Sequence, residues 1–197
     1  MKTKISLWIV CILSSINLSF ISNTDPYVID LGHTYIGFDV ERFWVGEVSG
    51  RFNEFSGDVT INGDDLSSLQ ANITISVSSL DTNHPTRDGH LTGEIWLDAA
   101  KYPEIKFVSK EVVKDNNQYV MKGDLTIRDI TKAIEFPVTL AGPYKDPTQK
   151  TTIGIKADLE IDRFDYGISF NRKLDNGELF IGNIVKLKIR ALVEAKK

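Results

Sequence analysis

Leu69-Gln70-Ala71-Asn72-Ile73-Thr74-Ile75-Ser76-Val77 alternates apolar and polar residues without a break. In an extended chain successive side chains point to opposite faces, so this stretch predicts a strand with one dry side and one wet side. The same rule covers most of what surrounds it. Ile36, Phe38 and Val40 obey it upstream, as do Phe55, Gly57, Val59 and Ile61. Downstream it holds for Ile105 and Phe107, for Tyr119, Met121, Gly123, Leu125 and Ile127, and for Ile134, Phe136, Val138 and Leu140. Two more strands follow, carrying Ile153, Ile155, Ala157, Leu159 and Ile161, then Val185, Leu187, Ile189, Ala191 and Val193.

Taking Gly46 to Ile61 as one long bent strand gives eight strands. Turn signals such as Asn62-Gly63-Asp64, Asp115-Asn116-Asn117 and Gly142-Pro143 separate them. The segment between Thr82 and Pro103 breaks the pattern, and a short helix around Arg87 to Leu97 is expected there, between the third and fourth strands. No long helix is available to cover a sheet, which leaves two solutions for eight amphipathic antiparallel strands: a closed barrel or a sandwich. Several strands exceed the usual length of about 5–6 residues, which suits tilted barrel strands. The expected fold is therefore all-β, an eight-stranded antiparallel lipocalin-like β-barrel, with a sandwich as the second solution.

The 197 residues, 42% hydrophobic and 25% charged, suit one domain with one core. The formal charge is −4, and the Lys and Arg residues are scattered, so the basic stripe needed for a phosphate backbone is missing and no nucleic-acid partner is expected. The first two dozen residues differ in kind. Lys2 and Lys4 precede the apolar run from Ile5 to Leu13, and Ser14, Ser15, Asn17 and Ser19 interrupt it before it is long enough to span a bilayer. Residues 1–24 read as a secretory signal peptide and 25–197 as the exported domain, periplasmic or secreted. The one cysteine, Cys11, lies in that leader, so the mature domain is expected to carry no disulfide and no thiolate chemistry.

Specific strings carry a family resemblance. They are Ile29-Asp30 with His33-Thr34, Val48-Ser49-Gly50-Arg51-Phe52 to Phe55-Ser56-Gly57, Ser79-Leu80-Asp81-Thr82-Asn83 and Arg87-Asp88-Gly89-His90-Leu91. Further on stand Asp98, Tyr102-Pro103, Gly123-Asp124-Leu125-Thr126-Ile127-Arg128 with Thr131-Lys132, and Arg163 with Asp165-Tyr166-Gly167-Ile168. In this order and register the chain resembles the YceI-like family of lipocalin-like, polyisoprenoid-binding exported proteins. It departs at Glu41-Arg42, Ile95-Trp96 and Asp129, positions where the family often has other residues.

The resemblance implies a hollow barrel holding a long apolar ligand, a polyisoprenoid or isoprenoid quinone, for transport, storage or stress protection, with no catalysis and no required cofactor. The residues then expected to line the lumen are Ile36, Phe38 and Val40 on the first strand, Ala71, Ile73, Ile75 and Val77 on the third, and Phe107 on the fourth. Met121 and Leu125 follow on the fifth, Phe136 and Val138 on the sixth, Ile155 and Ala157 on the seventh, and Leu187 and Ile189 on the last. His33, Arg87 and His90 are candidates for the ligand head group at the mouth, because imidazole and guanidinium donate to phosphate or carbonyl oxygens. Partners other than this lipid would be a membrane met transiently and, for a homodimer rather than a monomer, a second copy.

Two other readings remain. His33, His84 and His90 are the only histidines, and three converging imidazoles could hold zinc with an open position, as in a metal-dependent hydrolase. No metal is expected, because none shows ligand spacing on a single element. Asp81 and Asp88 are expected to cap the short helix. No G-x-S-x-G elbow, H-E-x-x-H or Gly-rich phosphate loop is present, so no catalytic residue is assigned. A packed structural barrel without ligand is the last alternative.

Overall fold

A computed structural model describes residues 25–116 and 118–196. The expected signal peptide, residues 1–24, lies outside the described residues. Eleven strands form one antiparallel sheet that closes on itself. β1 (Asp25–Ile29) and β2 (Tyr35–Arg42) lie end to end along the last strand, β11 (Ile181–Ala195): Tyr27 pairs with Ala195, and Ile36 with Ile189. A single turn of 3-10 helix, Leu31–His33, joins them, and Asp30 caps it by accepting from the amides of Gly32 and His33. β3 (Gly46–Phe52) and β4 (Phe55–Asn62) share the next position in the same way, β3 pairing with β2 and β4 with β1.

β5 (Asp65–Ser76), β7 (Glu104–Asp115), β8 (Gln118–Ile127), β9 (Ile130–Lys145) and β10 (Thr151–Asp162) complete the ring, with β6 (Leu80–Asp81) a two-residue extension pairing with β3. The ring therefore has eight positions, because two of them are each filled by a pair of short strands. Gly46 to Asn62 is the bent strand expected from sequence. Closure removes the exposed edges that an open sheet of this size would present for aggregation.

One end of the barrel is covered. After β6 the chain enters α1 (Pro85–Leu91), which is shorter and earlier than the helix expected around Arg87 to Leu97. Gly93 sits just past its C-terminus, and tight turns carry the chain back to β7, with Asp98 in the left-handed region (φ 50°). His84, not Asp81 or Asp88, is the N-cap, its side chain accepting from the Arg87 amide at 3.3 Å. The two carboxylates are used elsewhere. Asp88 accepts from the amide (2.9 Å) and hydroxyl (2.5 Å) of Thr82, and Asp81 from the Asn83 amide (2.7 Å). They fix the strand that leads into the helix.

Side chains pack from the two halves of the lumen. Towards the uncovered end Tyr27, Val59, Ile61, Leu69, Ile153 and Val193 are buried together. Under the covered end Phe38, Phe52, Val77, Leu80, Tyr166 and Ile168 form a second cluster. Gly50 makes this possible, because the Phe38 ring occupies the space where a Cβ on residue 50 would stand.

Candidate functional site

Alternation along the strands aims one face of each inward, and between the two clusters these faces do not meet. They enclose a cavity of about 170 Å3. Ile36, Ala71, Ile73, Ile75, Phe107 and Met121 line it from one arc of the wall. Leu125, Phe136, Val138, Ile155, Ala157, Leu187 and Ile189 line the remainder, with further apolar neighbours on the same strands. Thr34 carries the one polar side-chain atom in this lining, and its hydroxyl already accepts from the Leu192 amide at 3.3 Å. Beyond that hydroxyl the wall has no side-chain hydrogen-bonding group to offer a polar guest.

A second apolar cavity of about 110 Å3 lies under the covered end. Phe38 and Val40 line it, together with Leu91, Trp96 and Leu97 of the cover. Phe52, Ile105, Ile127 and Leu187 border both cavities, so these four side chains form a waist between two compartments of one lumen. Of the lumen residues expected from sequence, only Val77 lines neither compartment. β5 ends at Ser76, and Val77 begins a 3-10 turn that buries it against the second cluster. The alternation stops where the backbone leaves the strand.

Arg163, at the end of β10, is the one charged residue bordering the second compartment, and it is 3% exposed. Its guanidinium donates to the carbonyls of Ile168 (2.6 Å), Phe170 (2.7 Å), Gly182 (3.0 Å) and Ile181 (3.1 Å). It also lies against the rings of Phe164 and Trp96, at 4.5 and 5.2 Å. Burial pushes its pKa down. The fork ties the segment after β10 to the start of β11 and holds the covering residues in place. With these four carbonyl partners Arg163 closes the end of β10.

The three candidate head-group residues fall on two elements at different places in the barrel. His33 sits on the turn between β1 and β2, 72% exposed at its side chain, with Nδ1 2.7 Å from Asp30 Oδ2. That hydrogen bond, first among its causes, lowers the Asp30 pKa. Arg87 and His90 are on α1, at the covered end. Arg87 gives Nε to the Thr82 hydroxyl and Nη2 to the Thr82 carbonyl, both at 2.7 Å, and His90 is exposed. None of the three borders either compartment. Among the described residues no three His, Cys, Asp or Glu side chains gather closely enough to hold a metal ion, so His33, His84 and His90 do not form the triad that the hydrolase reading requires.

A closed eight-stranded antiparallel barrel around an apolar lumen places the chain among the lipocalin-like barrels. It belongs to the YceI-like domain family, whose model matches residues 27–193. Among relatives, it is 35% identical over 178 residues to the UPF0312 protein plu2095 of Photorhabdus laumondii, covering 89% of each chain. Among solved structures it is similar to Burkholderia cenocepacia BcnA, with a TM-score of 0.72 at 24% identity, covering 83% of this chain and 98% of that one. It also resembles a polyisoprenoid binding domain from Saccharophagus degradans, with a TM-score of 0.68 at 16% identity, covering 86% and 98%.

Proposed function

We propose that this protein is an exported, non-enzymatic carrier that holds the chain of a polyisoprenoid or isoprenoid quinone in its lumen. The observation that supports this most is the unfilled apolar cavity between Phe107, Phe136, Ala157 and Ile189. Protein interiors rarely leave voids larger than a water molecule. At about 24 cal/mol per Å3, an empty space of this size forfeits about 4 kcal/mol, which larger side chains at Ala71 or Ala157 would recover. A site whose lining is apolar but for one hydroxyl is dry and selects hydrocarbon. The name of the Saccharophagus degradans neighbour points to the same chemistry.

As it stands, the larger compartment is of the size that accepts a benzene-sized guest. A longer chain must run through both compartments, and Phe52, Ile105, Ile127 and Leu187 must turn aside to admit it. Thr34 is the one hydrogen-bonding side chain that lines the larger compartment, too little for a polar head group, so the head lies beyond it. Entry is from the periplasm or the cell exterior, after the leader is removed. Mass spectrometry of an organic extract of protein purified without detergent tests the reading. A stoichiometric isoprenoid lipid is the expected result, and repeated recovery of none overturns it.

A further inference from the structure

The hairpin between β2 and β3 overhangs the barrel. The β10–β11 ladder ends at Asp162 opposite Ile184, whereas the β11–β2 ladder continues to Ile181 opposite Arg42, so the tip stands roughly 10 Å beyond the rim. At that tip are Phe43, Trp44 and Val45, exposed by 48%, 66% and 88%. Phe43 and Trp44 both adopt the left-handed backbone region, with φ of 52° and 65°. Turns of this kind ordinarily take Asn or Gly, because bulky side chains are strained there. Here two aromatic residues occupy the strained positions; Phe43 packs edge-on against Phe180 at 4.6 Å, but Trp44 and Val45 face solvent, which neither folding nor solubility explains.

Behind the tip lie two guanidinium groups. Arg42 sits 5.3 Å from the Phe43 ring centre and 5.1 Å from that of Phe180, and Arg172 sits 5.5 Å from Phe180. Neither takes part in any of the ion pairs among the described residues. Arg42 Nε is buried without a hydrogen-bond partner. Two like charges flanking one ring with no carboxylate on either are complementary to an anion. Ile95, Phe164 and Ile184 are also exposed at this covered end of the barrel. Phe38 and Val40, on the strand leading to the tip, line the nearer compartment of the lumen.

We propose that the Phe43-Trp44-Val45 tip inserts into the interfacial zone of a phospholipid bilayer, while Arg42 and Arg172 donate to lipid phosphates behind it, docking the covered end of the barrel on the membrane. Aromatic side chains favour the boundary between hydrocarbon and head groups, and arginine stems reach apolar surface while the fork stays with phosphate. Glu41, Glu47, Asp175 and Glu178 lie close by in sequence and exceed Arg42, Arg172 and Lys173 by one charge. Attachment is therefore weak and reversible, as a carrier that loads and leaves requires. The inference deepens the carrier reading and rests on it for its purpose, but its test is separate.

The test is flotation with vesicles of phosphatidylcholine containing about one-fifth phosphatidylglycerol, comparing proteins produced and purified identically so that the N-terminus is common to all. The parent should float and show a blue-shifted tryptophan emission. Trp44→Gly with Val45→Thr should lower vesicle affinity at least tenfold while raising the melting temperature, because glycine relieves the left-handed strain. Arg42→Gln with Arg172→Gln should abolish the gain in binding from phosphatidylglycerol. Lumen lipid, extracted and quantified from the same samples, should be unchanged in both. A parent that stays with the aqueous phase at all lipid concentrations, or a tip variant that floats equally well, overturns the docking surface whether or not lumen lipid is present. A parent that dimerises through the tip, with the dimer lost in the tip variant and no flotation, overturns it in favour of self-association. Flotation without lumen lipid instead overturns the carrier reading and leaves the docking surface standing.

Discussion

Ala157 stands directly opposite Ile189 across the β10–β11 ladder, and both side chains line the larger compartment. On the other edge of β10 Ala157 faces Val138, another lining residue, so it is a small side chain in a wall of large ones. Ala157→Trp is expected to fill the cavity. In a solid core so large an insertion costs about 1–3 kcal/mol or more. Here the indole enters open volume, and the melting temperature of lipid-free protein should be kept or rise as the ring fills the cavity. Lipid recovered per protein should fall at least tenfold, while Thr74→Trp, on the outward face of β5, should leave it unchanged. Unfolding, or full retention of lipid, would refute the placement.

Gly123 is required by its neighbours. A Cβ there would come within 2.5 Å of the Val108 carbonyl oxygen and 2.7 Å of the Phe107 ring. The carbonyl belongs to the backbone of the adjacent strand and cannot swing away. Gly123→Ala should lose about 1–3 kcal/mol, seen as a lower urea midpoint with unchanged slope.

Asp39 is buried on β2, accepts from the Ser49 hydroxyl at 2.6 Å and pairs with Lys188. Burial opposes its ionisation, but the bonds from Lys188 and Ser49 outweigh burial and hold its pKa below the usual value. A carboxyl with a depressed folded pKa contributes stability above its unfolded pKa and loses it as pH falls through the folded one. Asp39→Asn should therefore be less stable than the parent at pH 7 by about 1–3 kcal/mol. The gap should close as pH drops from about 4 towards 2, measured by chemical denaturation at each pH. A gap independent of pH would show that the charge of Asp39 contributes nothing.

Arg163→Lys keeps the charge but replaces a planar fork with one ammonium, which cannot span four carbonyls on two segments. The loss should reach about 2–4 kcal/mol, given about 1.5–3 kcal/mol for each charge-assisted bond and partial rescue by the amine. Limited proteolysis should cut first between Ile168 and Phe180. Unchanged protection of that segment would remove Arg163 from its role in holding the cover.

Period-two alternation was enough to place Ile36, Ala71, Ile73, Met121, Leu125 and Ile155 on the inner wall, because a strand's two faces are set by local geometry alone. It was not enough at Val77, where the chain turns into a 3-10 helix, nor at Asp25–Ile29. There Pro26 and the exposed Val28 disguise a strand that pairs with both β4 and β11. The short helix was legible, but its cap was not: His84, Asp81 and Asp88 all have suitable acceptors, and only the position of Thr82 draws Asp88 away.

The sequence by itself determined that this chain is a set of amphipathic strands, each with one dry face, since hydrophobic period and turn residues act over a few neighbours. Only the tertiary structure decided that the inner faces fail to meet at Ala157 while closing at the waist of Phe52 and Leu187. It also decided that Arg163 spends its donors on the cover and that Arg42 and Arg172 gather behind an exposed aromatic tip. These features depend on pairs far apart in the chain, such as Phe43 with Phe180 and Ala157 with Ile189, whose separation is fixed by ladder register and barrel closure and not by any local pattern.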